Sequence, residues 1–98
     1  MRPLKVSRKV CAHYRNVVKG NKFTPLEQIE KKFVRNMALV ILEVHPEGRG
    51  TYCLYGKLHF IVSDDDVVVW MRNNCPSPKG WKKDNEKYLQ LNKELGIW

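Results

Sequence analysis

The spacing of hydrophobic residues changes along the chain and predicts helices at both ends with strands between them. From Lys5 to Lys19, a step of 100° per residue gathers the apolar side chains on one side, which predicts an amphipathic helix. The opposite side carries a series of basic residues with no acid among them. Gly20 follows as the expected stop, because glycine readily takes the left-handed conformation that ends helices.

A second helix is predicted to begin at Thr24-Pro25-Leu26-Glu27. Thr24 is a natural N-cap, proline suits the first helical turn, and Glu27 completes a capping box. The buried side of this helix consists of Leu26, Ile29, Phe33 and Met37.

The pattern breaks at residues 38–44, where ALVILEV suits either the buried end of the helix or a buried strand. The β-branched residues and the turn-like segment at 46–50 favour the strand slightly. An antiparallel meander follows, with strands predicted at Thr51–Tyr55, Leu58–Ser63 and Val67–Arg72. In the last strand Val67, Val69 and Met71 alternate with Val68, Trp70 and Arg72, and because both sets are largely apolar we expect both faces of the sheet to be covered.

Prolines and a glycine make residues 73–80 a connector, and a last helix is predicted within 81–98. Asp84 near its start and Gly96 after its end frame the apolar stripe of Tyr88, Leu91 and Leu95. The fold class is therefore α+β, with two N-terminal helices, an antiparallel meander of three to four strands and a C-terminal helix. At 98 residues we expect a single domain, with a basic helical part at 1–36 and the sheet at 38–72.

The formal charge of +8 is concentrated at one end of the chain. Residues 1–35 hold ten lysines and arginines against two acids, whereas residues 36–98 hold eight of each. A localised positive field gathers polyanions, so nucleic acid, either RNA or DNA, is the first expected partner. The predicted phosphate contacts are Lys5, Arg8, Lys9, Arg15, Lys19, Lys31, Lys32 and Arg35.

Two alternatives to a nucleic-acid surface remain at this stage. The basic helix face is either merely solvated or meets an acidic protein, for which the chain would act as a small inhibitor or adaptor. No membrane association is expected, because no apolar run is long enough to span one and the N-terminus lacks a signal peptide's apolar segment. We expect a cytoplasmic protein.

Metal and cofactor chemistry is not indicated. The acidic run at 64–66 reads as a hairpin turn, and the cysteines and histidines lack the close C-x2-C pairs of a zinc site. We expect no metal and no cofactor.

Four residues on or beside the predicted sheet suit metal-free RNA cleavage, which needs a proton donor, a proton acceptor and cations near the phosphate. The candidate catalytic residues are His45, Arg49, His59 and Arg72. Together with the layout of residues 24–72, this set resembles the small RelE-like and barnase-like ribonuclease toxins. The resemblance implies a basic-lined antiparallel sheet and a metal-independent endoribonuclease, which is the enzymatic alternative to simple binding.

Overall fold

The computed structural model describes residues 2–40, 43–44 and 50–97, and for residues 43 and 44 it describes the backbone alone. It confirms the α+β class. The strands are β1 (Lys5–Val6), β2 (Glu43–Val44), β3 (Thr51–Tyr55), β4 (Leu58–Val62) and β5 (Val67–Arg72), and the helices are α1 (Arg8–Val17), α2 (Leu26–Met37) and α3 (Asn85–Leu95). The strands form one sheet in the order β1-β5-β4-β3-β2.

The first helix is shorter than predicted, because its first two residues belong to the sheet. Lys5 and Val6 pair in parallel with Val67 and Val68, at the edge of the sheet. Ser7 then caps α1 by accepting a hydrogen bond from the backbone N–H of Val10 at 3.2 Å. The apolar spacing continued smoothly through this junction, so periodicity alone gave no sign of the strand.

The predicted capping box at the start of α2 does not form. Pro25 occupies the N-cap position and makes no side-chain cap. The Thr24 hydroxyl instead donates to the side-chain oxygen of Asn21 at 2.9 Å, which ties the α1–α2 loop to itself. Glu27 still lies in the first helical turn, where its negative charge complements the helix dipole.

The predicted meander is confirmed, with strand limits that match to within one residue. Strands β2 to β5 are antiparallel neighbours in chain order. Gly56 and Lys57 form the β3–β4 turn, and residues 64–66 form the next turn. Of residues 38–44, only Glu43 and Val44 are described as strand, while 38 and 39 form a turn and 41–42 lie outside the described residues.

A β-bulge in β5 changes the predicted alternation of its side chains. Ile61 pairs with Trp70 whereas the next residue, Val62, pairs with Val68, so Val69 is the extra residue. Val68 and Met71 are therefore buried whereas Val69 is 45% exposed, so the buried residues of β5 come from both of the predicted alternating sets.

The core lies between the helices and one face of the sheet. Phe33 of α2 is at its centre, with its ring centroid 5.3 Å from Tyr14 of α1 and 5.0 Å from Phe60 of β4. Buried residues of β3, β4 and β5 complete this core. Helices α1 and α2 both pack on this face, and in the described residues the side chains of the opposite face are half-buried or exposed.

The C-terminal helix begins at Asn85, next to the predicted start near Asp84, and it packs on α2. Its predicted caps are confirmed: Asp84 accepts from the backbone N–H of Lys87, and Gly96 ends the helix in the left-handed conformation at φ 69°. Trp81, just before the helix, packs edge-on against Tyr55 at 5.2 Å between ring centroids. Trp98 lies outside the described residues. None of the helices described is long and apolar enough to cross a membrane.

Candidate nucleic-acid interface

The face of the sheet opposite the core carries aromatic, apolar and basic side chains. We call it the open sheet face, and it consists of Tyr52, Leu54, His59, Ile61, Trp70 and Arg72. These side chains are half-buried or exposed, and they include no carboxylate. Such a combination of ring faces and positive charge differs from an ordinary solvated sheet, where polar side chains alternate with the core residues.

Three rings form a connected group on this face. The Tyr52 ring centroid is 5.7 Å from that of Trp70 and 5.9 Å from that of His59. Trp70 is 37% exposed, so part of the indole ring remains accessible to a ligand. Trp70 lies on this face because it alternates with the buried Met71, and the bulge adds the exposed Val69 beside it.

A groove of about 520 Å³ continues this surface past the sheet edge, between β5 and helix α1. It is lined by Lys9 and His13 of α1 and by Val69, Trp70 and Arg72 of β5, among others. A second depression of about 480 Å³, lined by Tyr52, Ile61, Val69 and Trp70, lies on the open sheet face itself. Because Val69 and Trp70 line both, the groove and the sheet face form one continuous surface.

His59 is held in place at one nitrogen, and its other nitrogen is unused. Its Nδ1 lies 3.4 Å from the Tyr52 hydroxyl oxygen, while its Nε2 is buried and has no hydrogen-bond partner. Burial also raises the pKa of Tyr52, and the nearby Arg72 opposes that shift. A buried nitrogen without a hydrogen-bond partner carries an unrecovered desolvation cost.

The structure places the eight predicted phosphate contacts in three different environments. Four of them are exposed: Lys5, Arg8, Lys9 and Lys19. Three are partly engaged: Arg15 donates to the Thr24 carbonyl, Lys32 donates to the Asn21 side chain, and Lys31 lies 3.6 Å from Glu27. Burial lowers the pKa of Lys32, and the positive charge of Arg35 adds to that effect.

Arg35 was predicted to contact phosphates on an exposed basic face. It is buried instead and does not belong to such a face. Its guanidinium donates to the side-chain oxygens of Asn36 and Asn92 and lies 4.3 Å from the centroid of the Tyr88 ring. These contacts join α2 to α3. Arg35 is therefore a structural residue, which its position on the predicted polar side of the helix did not reveal.

Of the four candidate catalytic residues, His59 and Arg72 are brought together, directly opposite each other in the β4–β5 pair. His45 and Arg49 lie outside the described residues. His13, which was not among the predicted site residues, lines the groove with Arg72. His13 follows Lys9 by four positions, a spacing that places both on one side of a helix, but only the packing of α1 beside β5 shows what they face.

In the described parts of the chain, no group of three or more His, Cys, Asp or Glu side chains is placed to hold a metal ion.

Comparison with known proteins places the chain in a family. The family model described as YorE matches residues 4–94, which is nearly the whole chain. The chain belongs to the YorE family. A relative in Bacillus subtilis (strain 168), described as "SPbeta prophage-derived uncharacterized protein YorE", is 32% identical over 105 residues, covering 99% of this chain and 85% of the relative. No solved structure matches this YorE-family chain.

Proposed function

We propose that this protein binds single-stranded nucleic acid on the open sheet face and in the adjoining groove. The observation that carries the proposal is the position of Trp70, whose accessible indole joins the aromatic group of the sheet to the basic groove. The bases stack on the rings of Trp70 and Tyr52. The phosphates lie near Lys9 and Arg72, with His13 beside them.

The physical chemistry of the surface favours an unpaired strand over a duplex. Stacking on an aromatic side chain requires an accessible base face, and in a duplex those faces are covered by neighbouring base pairs. Each stacked base contributes about 1–3 kcal/mol to binding, with little dependence on sequence. Lys9 and Arg72 supply the salt-dependent part of the affinity by releasing counterions from the backbone.

This surface differs from the one that charge alone predicted. The basic face of the helices offers cations but no means of contacting bases. The groove combines cations with an accessible aromatic ring. Lys9 belongs to both surfaces. Lys5, Arg8 and Lys19 are exposed and add to the positive field that draws a strand towards the protein.

Binding of fluorescein-labelled oligonucleotides of about 12 nucleotides, followed by anisotropy at several salt concentrations, tests the proposal. We expect the protein to bind the single strand more tightly than the duplex of the same sequence. Trp70→Ala should weaken single-strand binding at least tenfold, because it removes the shared stacking surface. Leu89→Ala is the matched control, since Leu89 is an exposed apolar residue on α3, 65% accessible.

Equal binding by wild-type protein and Trp70→Ala would contradict this site. Thermal unfolding of Trp70→Ala and Leu89→Ala checks that both variants keep the wild-type midpoint. Absence of binding to either oligonucleotide would reject the function. In that case an acidic protein partner becomes the leading explanation for the basic surface.

Metal-independent RNA cleavage is a second candidate, favoured by the placement of His59 opposite Arg72 on the open sheet face. In such a reaction the ribose 2′ oxygen forms a bond to the adjacent phosphorus, and the bond from phosphorus to the 5′ oxygen breaks. A base removes the 2′ proton and an acid protonates the leaving 5′ oxygen. Imidazole exchanges protons near neutral pH, and guanidinium stabilises the charge on the phosphate.

Incubation of labelled RNA with the protein in excess EDTA tests this second candidate. Cleavage that is lost in His59→Ala, with binding retained, would support it. Cleavage that persists in His59→Ala would remove this residue from the reaction, and intact RNA would leave binding alone.

A further inference from the structure

The α1–α2 loop displays an aromatic ring almost completely to solvent. Phe23 is 87% exposed, whereas the other two phenylalanines, Phe33 and Phe60, are fully buried. The neighbouring Leu26 is also 43% exposed. An isolated exposed apolar residue is common on protein surfaces, so the exposure alone indicates nothing. The construction of the loop beneath Phe23 is the more informative feature.

That loop is held by hydrogen bonds to both helices. At its centre is Asn21, which is only 5% exposed, and its side-chain oxygen accepts from the Thr24 hydroxyl and from Lys32 of α2 at 2.6 Å. Its side-chain nitrogen donates to the Lys19 carbonyl at 3.2 Å. Arg15 of α1 donates to the Thr24 carbonyl at 2.8 Å. A loop tied in this way presents Phe23 in a set position, so little conformational entropy is lost when the ring meets a ligand.

The surroundings of Phe23 are positive. No acidic residue occurs between Arg15 and Leu26, and Lys22 lies over the Phe23 ring, with its Nζ 5.5 Å from the ring centroid. A depression of about 400 Å³ beside the ring is lined by Lys22, Phe23 and Lys32, among other residues. A flat ring with cations around it suits a base and its phosphates.

The loop lies beyond one end of the groove. Helix α1 runs in the same direction as β5, because the Ser7 N–H donates to the Val68 carbonyl at one end and the Asn73 side chain donates to the Val17 carbonyl at the other. The Phe23 loop continues from that second end of α1. A strand that follows the groove from Lys9 towards Asn73 is therefore led towards the loop.

We propose that Phe23 is a second stacking point for the same nucleic-acid strand, separate from the Trp70 site. This inference rests on the proposed function, since it extends the binding site of the single strand. An anionic membrane is the less suitable ligand, because the loop offers one ring and part of Leu26 as apolar area, and membrane binding strengthens with the apolar area inserted. A single ring is sufficient to stack on one base.

Affinity as a function of strand length separates the two stacking points. Oligothymidylates of about 4 and about 12 nucleotides, within the range of strand lengths that single domains contact, are the probes. We expect Phe23→Ala to weaken binding of the 12-mer about tenfold and to leave binding of the 4-mer unchanged. Phe23→Trp should restore the 12-mer affinity, and Leu89→Ala is again the matched exposed control.

The results distinguish failure of this inference from failure of the proposed function. If Phe23→Ala binds the 12-mer as wild type does while Trp70→Ala is weakened, the Phe23 site is rejected and the sheet-face site stands. If wild-type protein binds neither length, both are rejected. Phe23-dependent binding to vesicles of phosphatidylserine and phosphatidylcholine, without any effect on the 12-mer, would also overturn the nucleic-acid assignment.

Discussion

His59 and Arg72 are directly opposite each other in the antiparallel pair of β4 and β5, although thirteen positions separate them in the chain. Their strands place both on the open sheet face, and Arg72 also lines the groove beside α1. Arg72 thus shares a sheet face with the aromatic group, whereas the excess of basic residues lies in residues 1–35.

Replacement of Arg72 by glutamine should make nucleic-acid binding less sensitive to salt. We expect the slope of the logarithm of the binding constant against the logarithm of the salt concentration to fall by about 1, because one phosphate contact is removed. Anisotropy titrations at four or more salt concentrations give the slope. Lys93→Gln, at an exposed position on α3, is the control of equal charge change. An equal reduction in both variants would show that Arg72 acts through net charge and makes no local contact.

Arg35→Met should destabilise the fold without weakening nucleic-acid binding by the remaining folded protein. The change removes the donor of the Asn36 and Asn92 side-chain oxygens and the cation that lies over Tyr88. We expect a loss of about 2–4 kcal/mol in the free energy of unfolding, measured by urea denaturation.

Lys31→Met is the control for Arg35→Met, because Lys31 on the same helix makes a partly exposed ion pair with Glu27. It should change the free energy of unfolding by less than about 1 kcal/mol. A selective loss of nucleic-acid affinity in Arg35→Met at unchanged stability would contradict the structural role of Arg35.

Gly56→Ala should cost more stability than Gly80→Ala, although both glycines have positive φ, 53° and 82° respectively. A Cβ at Gly56 would lie 2.9 Å from Cζ3 of Trp81, whereas a Cβ at Gly80 would meet nothing within 4 Å. The left-handed backbone costs each alanine variant about 1–2 kcal/mol, and crowding of Trp81 adds about 1–3 kcal/mol to Gly56→Ala. Thermal unfolding of the two variants isolates the packing of Trp81, and equal midpoints would disprove that contact.

Ser7→Ala should lower the free energy of unfolding by about 1 kcal/mol, because the first turn of α1 loses the cap that Ser7 provides to the Val10 N–H. Ser77→Ala, at an exposed position of the connector, should have an effect within about 0.5 kcal/mol. Urea denaturation of both variants gives the comparison. A Ser7 effect as small as that of Ser77 would argue against the cap and against the short helix start that it defines.

Stability should fall in alkaline solution partly through Tyr14. Burial raises the pKa of Tyr14 from its ordinary value of 10.0 to about 12, because the phenolate is poorly accommodated among core side chains. The raised pKa means that the contribution of Tyr14 is intact below pH 10 and is lost progressively as the pH rises through about 12. Tyr14→Phe should show a shallower decline of the urea midpoint over that range. Equal slopes for wild type and Tyr14→Phe would contradict the raised pKa.

The features that could be predicted from sequence are those that depend on neighbouring residues. The β3 and β4 strand limits follow from short apolar runs and their turn residues, and the α3 caps at Asp84 and Gly96 follow from the conformations those residues favour. The capping box at Thr24 was an exception, because the Thr24 hydroxyl found a partner in the loop preceding the helix. The N-cap position falls to Pro25 instead, which has no side-chain oxygen to accept from the first turn.

The sequence by itself therefore determined the α+β class, the meander and most helix faces, since these follow from periodicity and from turn and cap residues close together in the chain. The tertiary structure decided the pairing of Lys5–Val6 with β5, the bulge at Val69, the burial of Arg35 against Asn92, and the position of His13 beside Arg72. Each of these depends on contacts between residues distant in sequence. Whether a polar or aromatic side chain faces solvent, a partner helix or a groove is set by what packs beside it, and that information is absent from the local pattern.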